Sequence, residues 1–434
     1  MSDQEKDNKE FEFIKELVVE SKRKKLKKWI FPPLFTLLLA IIFGLTASLT
    51  IILAEPRLKK LFQNKDNRQE VYFPNDNTSG SITPTQKATG SVTPKPSATP
   101  TVSATYRPDI DDYVSMNNNI KEIASSVSKS ILNIKSKFNT EDWLFGKSVV
   151  KTVNSTGIIM FNNGEELIVL VSLDRVKDAN SIKVVLNDLI SVNAKIQDYE
   201  SELNLAMIAV PINEIPPVYM KELEVAKLGE SYSLNAGNPI IALGSPNGHP
   251  GSMEYGMITS RGGSACIVDN EMDLFNTNII DNKNGDGIIV DFKGQIIGVI
   301  TQALKEKGYE DLNTAIGISK LKPIIIAMGN KTPRIYCGVR TDDLTSETKA
   351  QYGVGNGIYV KDVLADSPAF KAGIQNGDII LQVNEGNILG TSNFFEKINN
   401  YSVGERVEFK ILRTVKEKDT TTLTLPVVLV QKKK

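Results

Sequence analysis

Short apolar runs rich in β-branched residues recur through the middle of the chain and constrain its fold most strongly. They lie at residues 157–160, 167–171, 182–186, 205–210, 240–243, 288–290 and 296–300. Turn signals such as Asn162-Asn163-Gly164 separate them. Strands of this length at regular intervals predict an all-β barrel or sandwich. Before residue 316, helical spacing is confined to the segment around Ile120 and Val127, and it returns over residues 316–328.

An uncharged apolar run from Ile30 to Ala54 is as long as the ~20 residues that a helix needs to cross a bilayer. Residues 22–28 are Lys or Arg at all but one position, which places the N-terminus in the cytoplasm. A cleaved signal peptide would have a shorter apolar region and a small-residue cleavage motif. We therefore predict a cytoplasmic tail at 1–28 and an uncleaved transmembrane helix at 29–54. The protein would be a single-pass protein of the cell membrane, with its later domains extracytoplasmic.

Residues 55–111 are rich in Ser, Thr and Pro and contain few residues that could seed a core, so they predict a disordered linker. The whole chain has 51 basic and 51 acidic residues, and this balance argues against a nucleic-acid partner. Its two cysteines, Cys266 and Cys337, are too few for a disulfide scaffold and are expected to be buried thiols. No cofactor is predicted.

Three ordered motifs resemble the HtrA (DegP-like) family of trypsin-like serine proteases. They lie at residues 154–159, 237–248 and 256–260, and the middle one reads G-N-P-I-I-A-L-G-S-P-N-G. The similarity covers residues 112–329. It implies a mainly β fold, a trypsin-like double β-barrel of two six-stranded barrels with the active cleft between them.

Residues 334–426 resemble the PDZ domain of the same family. The run Ser-Pro-Ala-Phe-Lys-Ala-Gly predicts a short capped helix that ends at Gly373, followed by a turn at Asn376-Gly377 and a strand at Ile379–Val383. A PDZ domain binds an extended peptide along an open strand edge and captures its terminal carboxylate with backbone N–H groups. The resemblance assigns peptide binding to Tyr336, Cys337, Gly338 and Val339 in the carboxylate loop and to Phe394 and Ile398 on the adjacent helix, which also carries Phe395. Val339 and Ile398 would shape an apolar pocket; the alternative is that the helix residues only form core.

The family's catalytic positions carry other side chains in this chain. The segments that match the three catalytic motifs are residues 174–184, 200–206 and 281–290. By resemblance, Asp174 replaces the histidine, Asn204 replaces the aspartate and Gly285 replaces the nucleophilic serine. Catalysis of this type needs a hydroxyl, an imidazole that accepts its proton and a carboxylate that orients the imidazole. A carboxylate with an ordinary pKa near 4 is a poor base for a hydroxyl proton.

The oxyanion hole is also expected to be altered. Lys283 occupies the glycine position two residues before the nucleophile, where the family's backbone needs glycine-like freedom. Loss of the serine or the histidine alone from such a triad lowers turnover by about 10⁶. The degenerate site is therefore predicted to be inactive as a peptidase.

Two other kinds of site can be considered. His249 and Ser264 could form a new dyad, but both have Gly or Pro neighbours that favour turns. Residues 282–289 follow the oxygen spacing of a calcium-binding EF-hand loop, but the twelfth position is Lys293 and no flanking helices are predicted. No metal site is predicted.

Together these features predict a membrane-tethered pseudoprotease of the bacterial cell envelope. Its partners would be exposed peptide segments or C-termini of unfolded proteins, and it would act as a scaffold, a chaperone-like factor or a regulator. The resemblance also implies a homo-oligomer, a trimer. The alternatives are an active serine endopeptidase in envelope protein quality control with a relocated site, and a purely structural envelope protein.

Overall fold

The computed structural model describes Glu70 and residues 108–141, 148–187, 189–305, 311–416 and 419–433. All of these belong to one compact unit, Arg68–Lys434. The predicted tail, the predicted transmembrane helix and most of the predicted linker lie outside the described residues. Within the described ranges, no helix combines the length and apolar character needed to cross a membrane.

Helix α1 (Ile110–Ser128) precedes the first barrel. It begins at Asp109, whose carboxylate accepts N–H groups of the first turn, and it buries Ile120, Ala124 and Val127. The strands of the barrel are β1 (Ile131–Glu141), β2 (Ser148–Asn162), β3 (Glu166–Ser172), β4 (Ser181–Val185), β5 (Ser191–Glu200) and β6 (Leu205–Pro211). They close an antiparallel barrel in the order β1-β2-β3-β6-β5-β4.

A short helix α2 (Pro217–Met220) leads toward the second barrel. Its strands are β7 (Pro239–Ser245), β8 (Ser252–Ile267), β9 (Asn270–Ile280), β10 (Asp286–Val290), β11 (Ile296–Ile300) and β12 (Leu312–Gly317), closed in the order β10-β11-β12-β9-β8-β7. Helix α3 (Ile318–Gly329) follows. One core cluster includes Leu170 and Met207 from the first barrel with Ile241 and Ile288 from the second, so the barrels pack directly against each other.

The C-terminal domain has its own core. Its elements are β13 (Ile335–Tyr336), β14 (Val339–Asp343), α4 (Ser346–Tyr352), β15 (Ile358–Val363), α5 (Pro368–Ala372), β16 (Ile379–Val383), β17 (Gly386–Asn387), α6 (Thr391–Asn399), β18 (Arg406–Lys416), β19 (Asp419–Val428) and β20 (Val430–Gln431). The main sheet has the order β14-β15-β16-β18-β19, so β14 lies at its edge, and β14 contacts β8 of the second barrel.

The predicted fold class is confirmed: the chain is mainly β, with a trypsin-like double barrel followed by a PDZ domain. Helix α5 begins at Ser367 and ends at Gly373, whose φ of 89° suits glycine. The expectation that both cysteines are buried was wrong for Cys266, which is only partly buried; both thiols are free. The Cys266 thiol lies beside the C-terminal domain, where its sulfur accepts the N–H of Thr341 at 3.3 Å.

Candidate functional site

The three positions that the sequence assigned to a degenerate triad lie together where the barrels meet. Asp174 follows β3, Asn204 precedes β6 and Gly285 precedes β10. All three line one cavity of about 10 Å³. A cavity of that size holds about one water molecule.

Asp174 and Asn204 bind each other in both directions. The Asp174 N–H donates to Asn204 Oδ1 at 2.8 Å, and Asn204 Nδ2 donates to Asp174 Oδ1 at 2.8 Å. Asn204 has a φ of 55°, in the left-handed region that asparagine tolerates better than most residues. The pair therefore keeps the contact that a histidine and an aspartate would make, but it contains no imidazole.

The Arg175 side chain fills space beside this pair. Its Nε lies 3.4 Å from Asp174 Oδ2, and its Nη2 donates to the Lys283 carbonyl at 3.5 Å. Only 17% of the side chain is exposed. Arg175 thus connects the altered triad to the altered oxyanion loop across the two barrels.

The loop that contains Gly285 packs tightly against this glycine. The Gly285 N–H donates to the Asn282 carbonyl at 2.7 Å, so it is used within the loop rather than pointing at a substrate. An ideal Cβ at residue 285 would lie 2.6 Å from the Pro246 carbonyl oxygen and 2.9 Å from that of Asn282. Real Cβ atoms essentially never come so close to backbone oxygen. A side chain at this position therefore requires the loop to move.

Side-chain hydrogen bonds hold the loop in this conformation. Asn282 Nδ2 donates to the Asn247 carbonyl at 2.7 Å, and Gln302 Nε2 donates to the Asn282 carbonyl at 3.0 Å. Lys283 is not among the described non-glycine residues with positive φ. Its backbone thus has a conformation open to any residue, in place of the glycine conformation expected for an oxyanion hole.

Asp286 joins the two barrels directly behind this loop. It is 3% exposed, and its carboxylate accepts the Thr156 N–H at 3.0 Å and the Thr156 hydroxyl at 2.6 Å. Burial raises the pKa of Asp286 to about 6, and the hydrogen bonds from Thr156 and the nearby charge of Arg175 oppose this rise. The sequence drew attention to Asp286 only through the EF-hand spacing. The described residues contain no group of three or more His, Cys, Asp or Glu placed to hold a metal.

We expect Asp286→Asn to flatten the pH dependence of stability. The folded pKa of about 6 exceeds the ordinary value of 3.8, so the folded state keeps the proton where the unfolded state has lost it. The free energy of unfolding therefore falls as the pH rises from about 4 to 6, by roughly 3 kcal/mol for this group. Urea denaturation at several pH values would measure the slope. The exposed Asp178→Asn is the control and should keep the wild-type slope; an equal slope in both variants would contradict the assignment.

The candidate dyad is not assembled. His249 is exposed in the turn before β8, and its N–H is bonded to Asn247. Ser264 lies near the opposite end of the same strand, opposite Asp273, and its hydroxyl bonds to Glu271. These two side chains therefore lie at the two ends of a long strand.

The residues assigned to peptide binding fall into two groups. Tyr336 lies in β13, and the N–H groups of Cys337, Gly338 and Val339 converge on one carboxylate, that of Asp269. Gly338 has a φ of 88°, which favours glycine.

The other group forms core. Phe394, Phe395 and Ile398 on α6 are buried together with Val339 in one cluster. Phe394 stacks edge-to-face on Phe395 and Phe409, with ring centroids 5.1 and 5.7 Å apart. The sequence left this alternative open for the helix residues. The sequence did not indicate that Asp269 contacts the carboxylate loop. Locally, Asp269 is simply an aspartate in a short hairpin turn.

Comparisons with known proteins agree with this architecture. A family model described as "PDZ domain" matches residues 336–427. The chain is 25% identical over 346 residues to "Serine protease Do-like HtrB" of Bacillus subtilis (strain 168), which covers 73% of this chain and 74% of the relative. It is 28% identical over 281 residues to "Probable periplasmic serine endoprotease DegP-like" of Marinomonas sp. (strain MWYL1), covering 62% of this chain and 56% of the relative. The chain thus spans about half the length of the DegP-like relative.

Solved structures show the same fold. "HtrA-type protease AlgW with tripeptide" has a TM-score of 0.52 at 21% identity, covering 72% of this chain and 98% of the other. "HtrA-type protease AlgW with decapeptide" has a TM-score of 0.51 at 20% identity, covering 72% and 99%. The arrangement of two barrels and one PDZ domain is therefore shared, while the catalytic positions must be judged from this chain's own side chains.

Proposed function

We propose that this chain, a member of the HtrA/DegP family of trypsin-like serine proteases with a PDZ domain, does not hydrolyse peptide bonds. Its role would be to bind exposed peptide segments or C-termini through the PDZ domain. In this role it would act as a scaffold, a chaperone-like factor or a regulator of other envelope proteins.

The closed loop at Gly285 carries this proposal. There is no hydroxyl at residue 285, no imidazole at residue 174, and the N–H of Gly285 is bonded inside the loop. The adjoining cavity of about 10 Å³ holds about one water molecule. The hydroxyl, the imidazole and a free Gly285 N–H are thus absent at the same place.

The PDZ domain supports the binding half of the proposal. In its sheet, β14 is an edge strand beside the carboxylate loop, which is the arrangement that lets a domain add a peptide as an extra strand. The solved AlgW structures are described as complexes with a tripeptide and a decapeptide. DegP-like relatives are named periplasmic. We also propose that the barrels and the PDZ domain lie outside the cytoplasm, that the apolar run at residues 29–54 tethers them to the membrane, and that the chain forms a homo-oligomer.

Fluorophosphonate labelling of the full-length chain tests the missing activity. We expect no labelled serine and no casein fragments, because residue 285 has no hydroxyl and residue 174 has no imidazole. Trypsin labelled in parallel is the positive control. Stoichiometric labelling of any serine would overturn the proposal, and its loss in Ser264→Ala would identify a relocated nucleophile.

A further inference from the structure

The carboxylate loop of the PDZ domain is already bound to a carboxylate of the same chain. Asp269 Oδ2 accepts the Cys337 N–H at 2.8 Å, and Oδ1 accepts the Val339 N–H at 3.0 Å. The Gly338 N–H lies 2.9 and 2.8 Å from the two oxygens. All three donors that a peptide terminus would use are therefore taken.

The backbone around Asp269 also follows the course of a bound peptide. Asp269 lies in the turn between β8 and β9 with a φ of 58°, and its own N–H donates to the Val339 carbonyl at 2.9 Å. Three residues earlier, the sulfur of Cys266 accepts the Thr341 N–H at 3.3 Å. Residues 266–269 thus lie along the outer edge of β14, where a PDZ ligand would add as a strand.

We propose that Asp269 is a built-in ligand of the PDZ domain, and that a peptide with a free C-terminal carboxylate must displace it to bind. The inference rests on the proposed peptide-binding function and concerns the regulation of that site. The side-chain carboxylate of Asp269 stands in for the terminal carboxylate, and its N–H stands in for that of the last peptide residue.

Polar contacts between the barrels and the PDZ domain hold Asp269 in place. Glu202 bonds to Arg340 and also accepts the Val268 N–H at 2.9 Å, next to Asp269 itself. Lys432 Nζ lies 2.9 Å from both carboxylate oxygens of Glu200. Several partners are partly exposed, such as Arg340 at 37%. An ion pair as exposed as Arg340–Glu202 contributes little net stability, whereas Glu200 and Lys432 are only 5% and 18% exposed and hold the contact more firmly.

The Asp269 carboxylate is enclosed by protein, although the turn between β8 and β9 keeps some exposed surface. Burial raises the pKa of Asp269 to about 6, while the three backbone N–H groups and Lys432 favour its charged form. A groove of about 1310 Å³ opens beside the contact, lined among others by Val268, Tyr336 and Pro368. This groove adjoins the loop at Tyr336 and the turn between β8 and β9 at Val268.

Peptide titration of the full-length chain in detergent tests the inference. The probe is a fluorescein-labelled peptide that reproduces residues 262–269, with serine in place of Cys266 and alanine in place of Asp269, and that ends in a free carboxylate. We expect Asp269→Ala and Asp269→Asn to bind it at least about 10-fold more tightly than the wild type, because the binding-competent population rises. Asp178→Ala is the matched control: Asp178 is also an aspartate with positive φ on a barrel loop, but it is exposed, and this variant should bind as the wild type does.

Hydrogen exchange of the same samples gives a readout that needs no peptide. The Gly338 and Val339 amides should exchange at least about 10-fold faster in Asp269→Ala, because their acceptor is gone. Equal peptide affinity in the wild type and Asp269→Ala would overturn the built-in ligand while leaving PDZ binding intact. Equal binding of an amidated probe would exclude carboxylate mimicry. Faster exchange in Asp269→Ala with no peptide binding by any variant would reject the proposed binding function and leave Asp269 as a structural contact.

Discussion

Replacing Arg413 by methionine is expected to lower the free energy of unfolding of the PDZ domain by roughly 3–5 kcal/mol. The Asp378 side chain is 1% exposed, and Arg413 holds it with two hydrogen bonds of 2.7 Å, from Nε to Oδ1 and from Nη2 to Oδ2. Nη2 also donates to the Gly373 carbonyl at 2.7 Å, at the end of α5. Methionine keeps part of the side-chain volume but leaves a buried carboxylate whose remaining hydrogen bond comes from the Gln375 N–H.

Hydrogen exchange of β16 and β18 under increasing urea would measure this loss within the full-length chain. Lys361→Met is the matched control, because Lys361 and Asp342 form an exposed pair at 3.1 Å whose side chains are 62% and 47% exposed. Its removal should change stability by less than about 1 kcal/mol. A double variant, Asp378→Asn with Arg413→Met, should recover part of the loss because no unpaired charge remains. Similar small losses in both single variants would contradict the explanation.

The parts of the fold that the sequence predicted well depend on local patterns. Runs such as residues 288–290 and 296–300 lie inside strands whose every residue is buried, and a continuous apolar run is the signature of such strands. Helix α5 was predicted with its cap and its final glycine because Ser367, Pro368 and Gly373 act on their own turn. The helix predicted at 316–328 begins two residues later, because Ile316 belongs to strand β12. There it pairs with Val299 of β11 and Leu274 of β9.

The features that the sequence did not predict join residues far apart in the chain. Asp269 meets the carboxylate loop only because β8 lies against β14, and no local pattern encodes that placement. Arg175 fills the cleft because its guanidinium reaches Lys283 in the other barrel. The triad positions themselves could be found because motif spacing places them, but their enclosure by the Pro246 carbonyl depends on the tertiary structure.

These long-range contacts change what the loss of the triad means. In a site altered only by substitution, the backbone would still offer a cleft and an oxyanion hole, and restoring three side chains would restore chemistry. Here the Gly285 N–H bonds to the Asn282 carbonyl, and the loop is tied to Asn247 and Gln302. The backbone has therefore adapted to glycine, and side-chain reversal alone does not rebuild the geometry that stabilises a developing oxyanion.

Neither Gly285→Ser nor the triple variant Asp174→His, Asn204→Asp, Gly285→Ser is therefore expected to cleave casein. The turnover of Gly285→Ser should stay about 10⁶ below that of an intact triad, because no imidazole is restored. The triple variant should stay at least about 10²–10³ below it, because the oxyanion hole is not rebuilt. Both variants should also unfold more easily, by roughly 1–3 kcal/mol, because the new Cβ overpacks the loop. That Cβ would lie 2.6 Å from the Pro246 oxygen.

Gly285→Ala should show the same loss of stability without a hydroxyl. Gly355→Ser is the control, since no heavy atom lies within 4 Å of an added Cβ there. Casein cleavage by the triple variant would show that the loop can reopen, and unchanged thermal unfolding of Gly285→Ser would show that the backbone was never closed around glycine.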